Sequence, residues 1–426
     1  MSAKGRPERE YRSAQREGTP MSDVRHAHPI VFMFLILPFG VMSGYLTVAV
    51  AYLLTQAGVS VEQVAELVAI SFIPQTWKFL WAPIADTTLT RKSWYLIGSV
   101  ISALGIYATG AVPADGKFMP LLYVVVVVSN TAVTFLAMSV ESLMVYGTPA
   151  AEKGRAGGWF QAGNLGGGGL GGGAGLWMAQ TLSQPWIAGA VLGAACLLCC
   201  VALLFVTEPP AVFRDAKYWR NIVDVFKDLW RVARSRAGFL ALLICFLPIG
   251  SGAASGLWSA VADDWHASAD TVALVTGVLG GIVSAVGCLV GGYLCDRMNR
   301  KTAYALYGLL QALCAIAMAL APRTEPMYIT FTTIYSFIAG LTYAGFSAVV
   351  LEAIGLGAAA TKYNLFASLS NMPIAYMTMI EGWAHTRWGA GGMLHVEAAI
   401  CMLAILVFIA VATVMTRARA PAPSTG

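Results

Sequence analysis

The sequence predicts an all-α membrane protein with twelve transmembrane helices in two pseudosymmetric six-helix halves. Three observations support this prediction: charged residues are scarce, long apolar stretches recur, and acidic residues repeat at one offset. Of the 426 residues, 58% are hydrophobic and 12% are charged, whereas soluble domains average about 25% charged residues. A chain with so few charges cannot cover the surface of a soluble domain.

The apolar stretches give the number of spans. A helix of about 20 apolar residues crosses the hydrocarbon core of a bilayer, and such stretches occur along nearly the whole chain. The alternating ten-residue segments of a transmembrane barrel are not seen in the sequence. The predicted spans are 29–54, 63–85, 94–113, 119–147, 157–181, 186–207, 238–262, 269–294, 302–321, 327–355, 363–384 and 391–415.

Polar segments divide the chain into parts. The predicted parts are a basic N-terminal tail (1–28), an N-terminal half (29–207), a linker (208–237), a C-terminal half (238–415) and a C-terminal tail (416–426). The linker has apolar residues at helical spacing, which predicts an amphipathic helix on the cytoplasmic face of the membrane. These apolar residues are Ile222, Val225, Phe226, Leu229 and Val232.

Lysine and arginine positions predict the orientation. If the N-terminus is inside, only Lys117, Arg323 and Arg387 fall in outside loops, and nearly all other basic residues fall in inside segments. Cytoplasmic loops of membrane proteins carry the excess of lysine and arginine. The basic N-terminal tail also differs from a secretory signal peptide. We therefore expect a multi-pass protein of the bacterial inner membrane with both termini in the cytoplasm.

The two halves repeat each other. Asp86 and Asp296 follow the second and eighth spans, and 210 residues separate them. Glu141 and Glu352 lie late in the fourth and tenth spans, and 211 residues separate them. Equal offsets on corresponding spans indicate a parallel duplication, which is a common plan among transporters.

The loop after the eighth span carries a family resemblance. Its sequence GGYLCDRMNRK (291–301) resembles the cytoplasmic signature of the major facilitator superfamily, in which a small residue precedes Asp-Arg and a basic pair. The first-half copy, WAPIADTTLTRK (81–92), lacks the arginine after the aspartate. The resemblance implies the two-half fold and a conformational latch. The predicted latch residues are Asp86, Arg91, Lys92, Asp296, Arg297, Arg300 and Lys301.

Three further segments resemble the AmpG-like permeases, a branch that includes muropeptide, acetyl-CoA and some siderophore carriers. They are KFLWAPIAD (78–86), TPAAEKGRAGGWFQAGNLGG (148–167) and ATKYNLFASLSNMP (360–373). The resemblance implies a secondary active transporter that moves a small organic solute by alternating access. It favours proton-coupled import of a muropeptide-like or siderophore-like cargo by a monomer.

Ionisable residues inside spans are costly and usually functional. Lys78 in the second span and Glu141 in the fourth span lie at similar distances from the cytoplasmic loops. We predict that they form an ion pair, with Glu141 as the proton carrier and Glu352 as its counterpart in the second half. The alternative is that the pair only braces the bundle, or that Lys78 extends to the interface. Glu381 is predicted to lie at the outer mouth.

Polar and aromatic residues on the span faces are predicted to line a substrate cavity. The glycine run in the fifth span also fits close helix packing, and most membrane tryptophans anchor at interfaces. The predicted cavity residues are Asn130, Thr134, Trp159, Gln161, Asn164, Trp258, Asn364, Ser368 and Asn371.

Other classes of function are weighed against transport. An exporter, including a drug-efflux protein, is the main alternative, because the sequence does not separate the two directions. A membrane enzyme or sensor is less favoured, because the five histidines are dispersed and no nucleophile–base or metal pattern occurs. The eight cysteines fall mostly in apolar runs, as packing residues do.

The expected partners follow from these patterns. We expect a small-molecule substrate, protons and the lipid bilayer, with no cofactor and no metal. We expect no nucleic acid, because its recognition needs a basic patch on a folded soluble face.

Overall fold

Twelve helices, numbered α1 to α12 along the chain, make up most of the part of the chain that the structure describes. In this computed structural model that part comprises residues 28–81, 84–85, 88–147, 153–208, 223, 227, 230, 234–295, 297–354, 365–366 and 368–417. Those residues contain no strand. The predicted all-α fold class is confirmed, and the helices follow the order of the predicted spans.

The N-terminal half contains six helices. Two of them begin with side-chain caps, since Ser60 accepts from the amide of Gln63 and Thr90 accepts from the amide of Ser93. The helices are α1 (Ile30–Gln56), α2 (Val61–Trp77), α3 (Arg91–Ala111), α4 (Met119–Gly147), α5 (Lys153–Gly169, continued by Leu170–Ala174 and Gly175–Thr181) and α6 (Pro185–Leu198, continued by Cys199–Phe205).

The C-terminal half repeats this arrangement. Its last continuous segment, Asn371–Arg417, is divided by Gly389, whose φ of 67° and ψ of −175° are not helical. The helices are α7 (Arg236–Phe246), α8 (Ala269–Cys295), α9 (Arg300–Leu320), α10 (Glu325–Ile354), α11 (371–388) and α12 (390–417).

The seventh span differs from its prediction as one helix over 238–262. Helix α7 ends at Phe246, and two 3₁₀ turns, Ala253–Gly256 and Ala262–Trp265, follow an irregular segment. Pro248 in that segment has no backbone N–H for a helical hydrogen bond. Gly250 and Gly252 have φ values of 57° and 70°, which glycine adopts readily. The prediction of a continuous helix is therefore wrong at this span.

The surface of the bundle suits a membrane. Eight helices among the described residues are long and apolar enough to cross a bilayer. Large apolar side chains point outward from them, including Leu204 and Leu289 with exposures of 80% and 77%. Exposed leucines at this density fit a lipid environment, in which helices satisfy their own backbone hydrogen bonds. The chain is a multi-pass membrane protein.

Glycines bring α1 and α5 into backbone contact. A Cβ atom added to Gly44 would overlap the backbone oxygen of Gly168, and one added to Gly171 would overlap that of Val41. Small residues allow helices in membranes to approach this closely. The glycine run of the fifth span therefore serves close helix packing, as the sequence indicates.

The linker between the halves is described in part. Val223, Lys227, Trp230 and Arg234 are helical and exposed, and the guanidinium of Arg234 lies 5.1 Å from the centre of the Trp230 ring. Their spacing puts them on one helix face. The apolar residues on which the amphipathic helix was predicted lie outside the described residues, so that helix stays a prediction.

Candidate functional site

An ion pair joins α2 to α4 within the N-terminal half. Helix α2 ends at Trp77 and continues as a 3₁₀ turn that begins with Lys78. The ammonium nitrogen of Lys78 lies 3.4 Å from a carboxylate oxygen of Glu141, and the two side chains are 16% and 28% exposed. The structure thus brings together the predicted pair. Its role in proton coupling stays a prediction.

The polar residues before Glu141 on α4 are buried. The indole N–H of Trp81 donates to the Thr134 hydroxyl over 2.9 Å, and that hydroxyl donates to the Thr131 carbonyl over 2.7 Å. The side-chain amide of Asn130 donates to the carbonyl of Val126 over 2.9 Å. Trp81 therefore ties α2 to α4 a short way from the ion pair.

Asn130 also borders a small cavity inside the N-terminal half. This cavity has a volume of about 10 Å³, which is close to the space that one water molecule needs. It is lined by residues of α1, α3 and α4, namely Met42, Tyr45, Leu46, Gly105, Ile106, Thr109, Val126, Ser129 and Asn130. A cavity of this size fits a buried water and is far too small for an organic solute.

The predicted cavity residues of α5 lie near its start. Trp159 is partly buried, Gln161 is exposed, and the Asn164 side-chain amide donates to the Gln161 side-chain oxygen over 3.3 Å. In α11, the Asn371 amide donates to the carbonyl of buried Ser368 over 3.3 Å. Asn364 and the side chain of Glu352 lie outside the described residues. The substrate contacts predicted for the cavity residues stay predictions, and so does the proton-coupling role predicted for Glu352.

Trp258 lies in the irregular part of the seventh span and is buried. Its ring meets that of Tyr335 edge to face, with 5.1 Å between the ring centroids, and its carbonyl accepts from the Tyr328 hydroxyl over 2.8 Å. Its indole N–H has no hydrogen-bond partner among the described residues. A buried indole of this kind usually finds a partner, so Trp258 stays a candidate ligand contact.

Two carboxyl groups are buried in the C-terminal half, and only one of them, Glu381, is among the residues singled out from the sequence. Glu381 of α11 is fully buried and Glu397 of α12 is 3% exposed. The hydroxyl of Tyr335 donates to Glu397. Glu381 is predicted at the outer mouth; the structure buries its side chain and places the next residue, Gly382, against Val61 and Glu62 in the first turn of α2. Glu397 could have been identified from the sequence, because it is the one acidic residue in the predicted span 391–415.

The two halves touch at the ends that the predicted topology puts outside. The Gln56 side-chain amide donates to both carboxylate oxygens of Asp263 over 2.8 and 2.7 Å, and the Ser259 hydroxyl donates to the Thr47 carbonyl. Nearby, a ring nitrogen of His385 lies 2.6 Å from a carboxylate oxygen of Asp264. These contacts close the bundle at that end.

The predicted latch residues of the first half contact their own half. Glu208, after the end of α6, accepts from the backbone amides of Arg91 and Lys92 over 2.8 and 3.1 Å. The guanidinium of Arg91 donates to the Ala85 carbonyl over 2.6 Å. Glu208 thus caps the N-terminus of α3, where a negative charge is favourable. Asp86 lies outside the described residues.

The second-half latch residues lie around the start of α9. The Arg297 guanidinium stacks over the Tyr293 ring at 4.2 Å, and the backbone amide of Lys301 donates to the Asn299 side chain over 3.1 Å. Arg300 is the first residue of α9. Asp296 lies outside the described residues, so the latch stays a prediction in both halves.

The described residues contain no group of three or more histidine, cysteine, aspartate and glutamate side chains that could hold a metal ion.

Comparisons with known sequences agree with this architecture. Residues 32–376 match the sequence model of the Major Facilitator Superfamily. The chain is 25% identical over 398 residues to the Anhydromuropeptide permease of Escherichia coli (strain K12), which covers 87% of this chain and 78% of that protein. It is 19% identical over 376 residues to the Putative transporter AmpG 4 of Rickettsia conorii, which covers 82% of this chain and 89% of that protein.

Solved structures share the fold. A bacterial homolog of the human lysosomal transporter Spinster, in an inward-facing and unoccupied conformation, superposes with a TM-score of 0.72 at 15% identity, over 92% of this chain and 98% of that one. A D-xylose-proton symporter superposes with a TM-score of 0.68 at 13% identity, over 89% and 96% of the two chains. At these identities the likeness concerns the fold.

Proposed function

The chain belongs to the Major Facilitator Superfamily, and we propose on that premise that it imports a muropeptide-like solute together with protons. It is a membrane transporter of the AmpG permease type by its relatives. The cargo, the direction and the coupling ion are the proposed parts. In this proposal the termini lie in the cytoplasm of a bacterial cell and the monomer is the working unit.

The proposed cargo class is taken from the relative with the longer alignment, the Anhydromuropeptide permease of Escherichia coli. The similarity to the Anhydromuropeptide permease extends over 87% of this chain, so it includes both halves and not one motif. A sugar-peptide carries hydroxyl, amide and carboxyl groups. The polar and aromatic residues proposed to meet these groups, such as Asn164, Ser368 and Trp258, lie on helices of both halves.

The ion pair of Lys78 and Glu141 is the single observation that favours proton coupling. Its 3.4 Å separation is longer than that of a tight charge-assisted hydrogen bond. Both side chains are more than two-thirds buried, where an ionised carboxyl needs a partner. A proton that neutralises Glu141 would release Lys78 and free α2 from α4. This is the step that we assign to coupling.

The proposed direction rests on the proposed coupling. The proton gradient of a bacterial cell points inward, so a cargo that moves in the same direction as the proton is imported. The contacts of Asp263 with Gln56 and of Ser259 with Thr47 hold the outer ends together. A transporter closed on this side is in the state from which an importer releases cargo and proton to the inside.

Uptake into right-side-out membrane vesicles tests the proposal. Radiolabelled anhydromuropeptide should accumulate above its external concentration when the vesicle interior is made alkaline, and a protonophore should abolish this accumulation. Glu141→Gln should abolish accumulation, while Asp270→Asn, at an exposed position in the first turn of α8, should keep it.

Other outcomes of the same assay would replace parts of the proposal. Equilibration that ignores the gradient would refute proton coupling. Uptake of a ferric siderophore, without uptake of the muropeptide, would show that the cargo is a siderophore. Accumulation only in inverted vesicles would identify an exporter.

A further inference from the structure

A second pair of ionisable groups lies in the C-terminal half, separate from Lys78 and Glu141. Glu381 and Glu397 are both buried, and they lie on the two helices that the turn at Gly389 joins. Neither carboxylate oxygen of Glu381 has a hydrogen-bond partner among the described residues, and the same is true of one oxygen of Glu397. Buried polar groups nearly always have partners, so this pair calls for an explanation.

The pair lies toward the outer end of the bundle. Gly389, at the turn between α11 and α12, is eight residues from Glu381 and eight residues from Glu397. At the helical rise, each carboxyl-bearing residue is about 12 Å from that turn. Gly382, the residue after Glu381, lies against Val61 and Glu62 in the first turn of α2. Because Glu381 and Glu397 are equally far from the turn at Gly389, their side chains lie at the same level along the bundle.

The surroundings of the pair are aromatic and polar, and no side chain in the described part of the chain places a compensating charge in direct contact with it. Tyr335 donates to Glu397, and its ring meets that of Trp258. The Gln311 side-chain oxygen lies 3.4 Å from the Thr342 hydroxyl, and the Gln311 amide nitrogen has no partner among the described residues. Two carboxylates buried in such a site repel each other, and a buried charge without a partner is costly.

The titratable groups around the pair are few. Tyr335 faces it from α10, Cys314 from α9 and Cys401 from α12. On α2, Glu62 lies beside Gly382, and Glu66 accepts from the Tyr123 hydroxyl over 2.9 Å.

Three more charged or titratable side chains lie toward the outer ends. They are Asp264, His385 and Arg323, whose guanidinium stacks over Trp265 at 4.2 Å.

Glu381 also lies at the contact between the two halves. A Cβ atom added to the next residue, Gly382, would overlap the side chain of Ala65 on α2 and would lie 3.2 Å from the Cα atom of Glu62. The turn of α11 that carries Glu381 is therefore pressed against the N-terminal half. A charge on Glu381 in this dry contact has no partner among the described groups, and an unpaired buried charge is costly.

We propose that Glu381 and Glu397 together bind one exchangeable proton, and that this proton allows the outer ends of the two halves to close. The proposal rests on the proposed proton-coupled function and adds a second titrating site to it. When the outer side opens, Glu381 meets water and releases or takes up the proton. When it closes, the shared proton removes one of the two charges from the dry contact with α2.

Infrared difference spectroscopy tests the proton binding directly. The purified full chain in lipid should show a protonated-carboxyl band that titrates with pH in the wild type, in Asp270→Asn and in Glu141→Gln. The band should lose intensity in Glu381→Gln and in Glu397→Gln and should be absent in the double variant. A band that is unchanged in the double variant would overturn the proposal. The infrared measurement needs no cargo, so its result does not depend on whether the proposed transport occurs.

A distance measurement tests the link to closure. Spin labels at Gly116 and Thr324, exposed outer positions of the two halves, would report opening, after the partly exposed Cys199, Cys200 and Cys288 are replaced by alanine. Glutamine mimics a protonated carboxyl, so the double variant should keep the short distance at every pH, while the wild type should lengthen at alkaline pH. A double variant that opens with pH like the wild type would overturn the proposal.

Discussion

Gly173 of α5 and Gly277 of α8 face each other across the two halves. A Cβ atom added to Gly277 would lie 2.8 Å from the backbone nitrogen of Gly173 and 2.9 Å from its Cα atom. Each glycine lies in a π-helical segment, Leu170–Ala174 and Ala273–Leu279. Such segments often mark functional positions in helices. The space between the two backbones accommodates the hydrogen atom of a glycine but no methyl group. The contact therefore forms only while the two halves are packed against each other.

We therefore expect Gly277→Ala to weaken closure at the outer side. The added methyl group cannot fit against the backbone of Gly173, and the halves must separate there. The distance between spin labels at Gly116 and Thr324 should lengthen, and uptake should fall. Gly292→Ala is the matched control on the same helix, because its Cβ atom would meet nothing within 4 Å. Equal distances in the two variants would contradict the expectation.

The close contact between α1 and α5 should contribute to the stability of the folded protein. A methyl group at Gly44 would overlap the backbone of Gly168, and forced overpacking costs about 1–3 kcal/mol. Gly44→Ala should therefore lower the thermal unfolding midpoint of the purified protein. Gly166→Ala, whose Cβ atom would meet nothing within 4 Å, should keep or raise the midpoint, because alanine has a higher helix propensity than glycine. A midpoint that falls equally in both variants would show that the overlap with Gly168 is not the cause.

Sequence reasoning found the ion pair but missed the buried carboxyl pair, and the reason is geometric. Lys78 and Glu141 were paired from their depth alone, because each lies a known number of residues from a cytoplasmic loop. Glu381 and Glu397 lie at equal distances from Gly389, but pairing them requires knowing that the chain turns at this glycine. The donor Tyr335 comes from a third helix, and helix rotation is a tertiary property that spacing does not reveal.

A double-mutant cycle should show that Lys78 and Glu141 act as a pair. Lys78→Met leaves a poorly solvated carboxylate without its cation, and Glu141→Gln leaves the cation alone. The double variant should be less destabilised than the sum of the single variants, with a coupling energy of about 0.5–3 kcal/mol. Thermal unfolding of the four proteins measures this energy. Additive effects would show that the 3.4 Å contact carries no energy.

The contact of Gln56 with Asp263 offers a way to lock the outer side. The Gln56 side-chain amide lies within 2.8 Å of both carboxylate oxygens of Asp263. With cysteine at both positions, a short bifunctional thiol reagent should stop uptake, and a cleavable form of the reagent should restore it after reduction. Each single cysteine variant, treated in the same way, is the control. Continued uptake by the linked protein would show that these ends do not separate during transport.

We predict that Glu208, which follows α6, stabilises the start of α3. Its two carboxylate oxygens accept from the amides of Arg91 and Lys92, so it satisfies two of the N–H groups that a helix start leaves unpaired. Glu208→Ala should lower stability by about 0.5–2 kcal/mol, the range for loss of a helix cap. Glu208→Gln keeps one acceptor oxygen and should lose less. Thermal unfolding distinguishes the two variants. An uptake defect in Glu208→Ala with no change in stability would instead indicate that the start of α3 moves during transport.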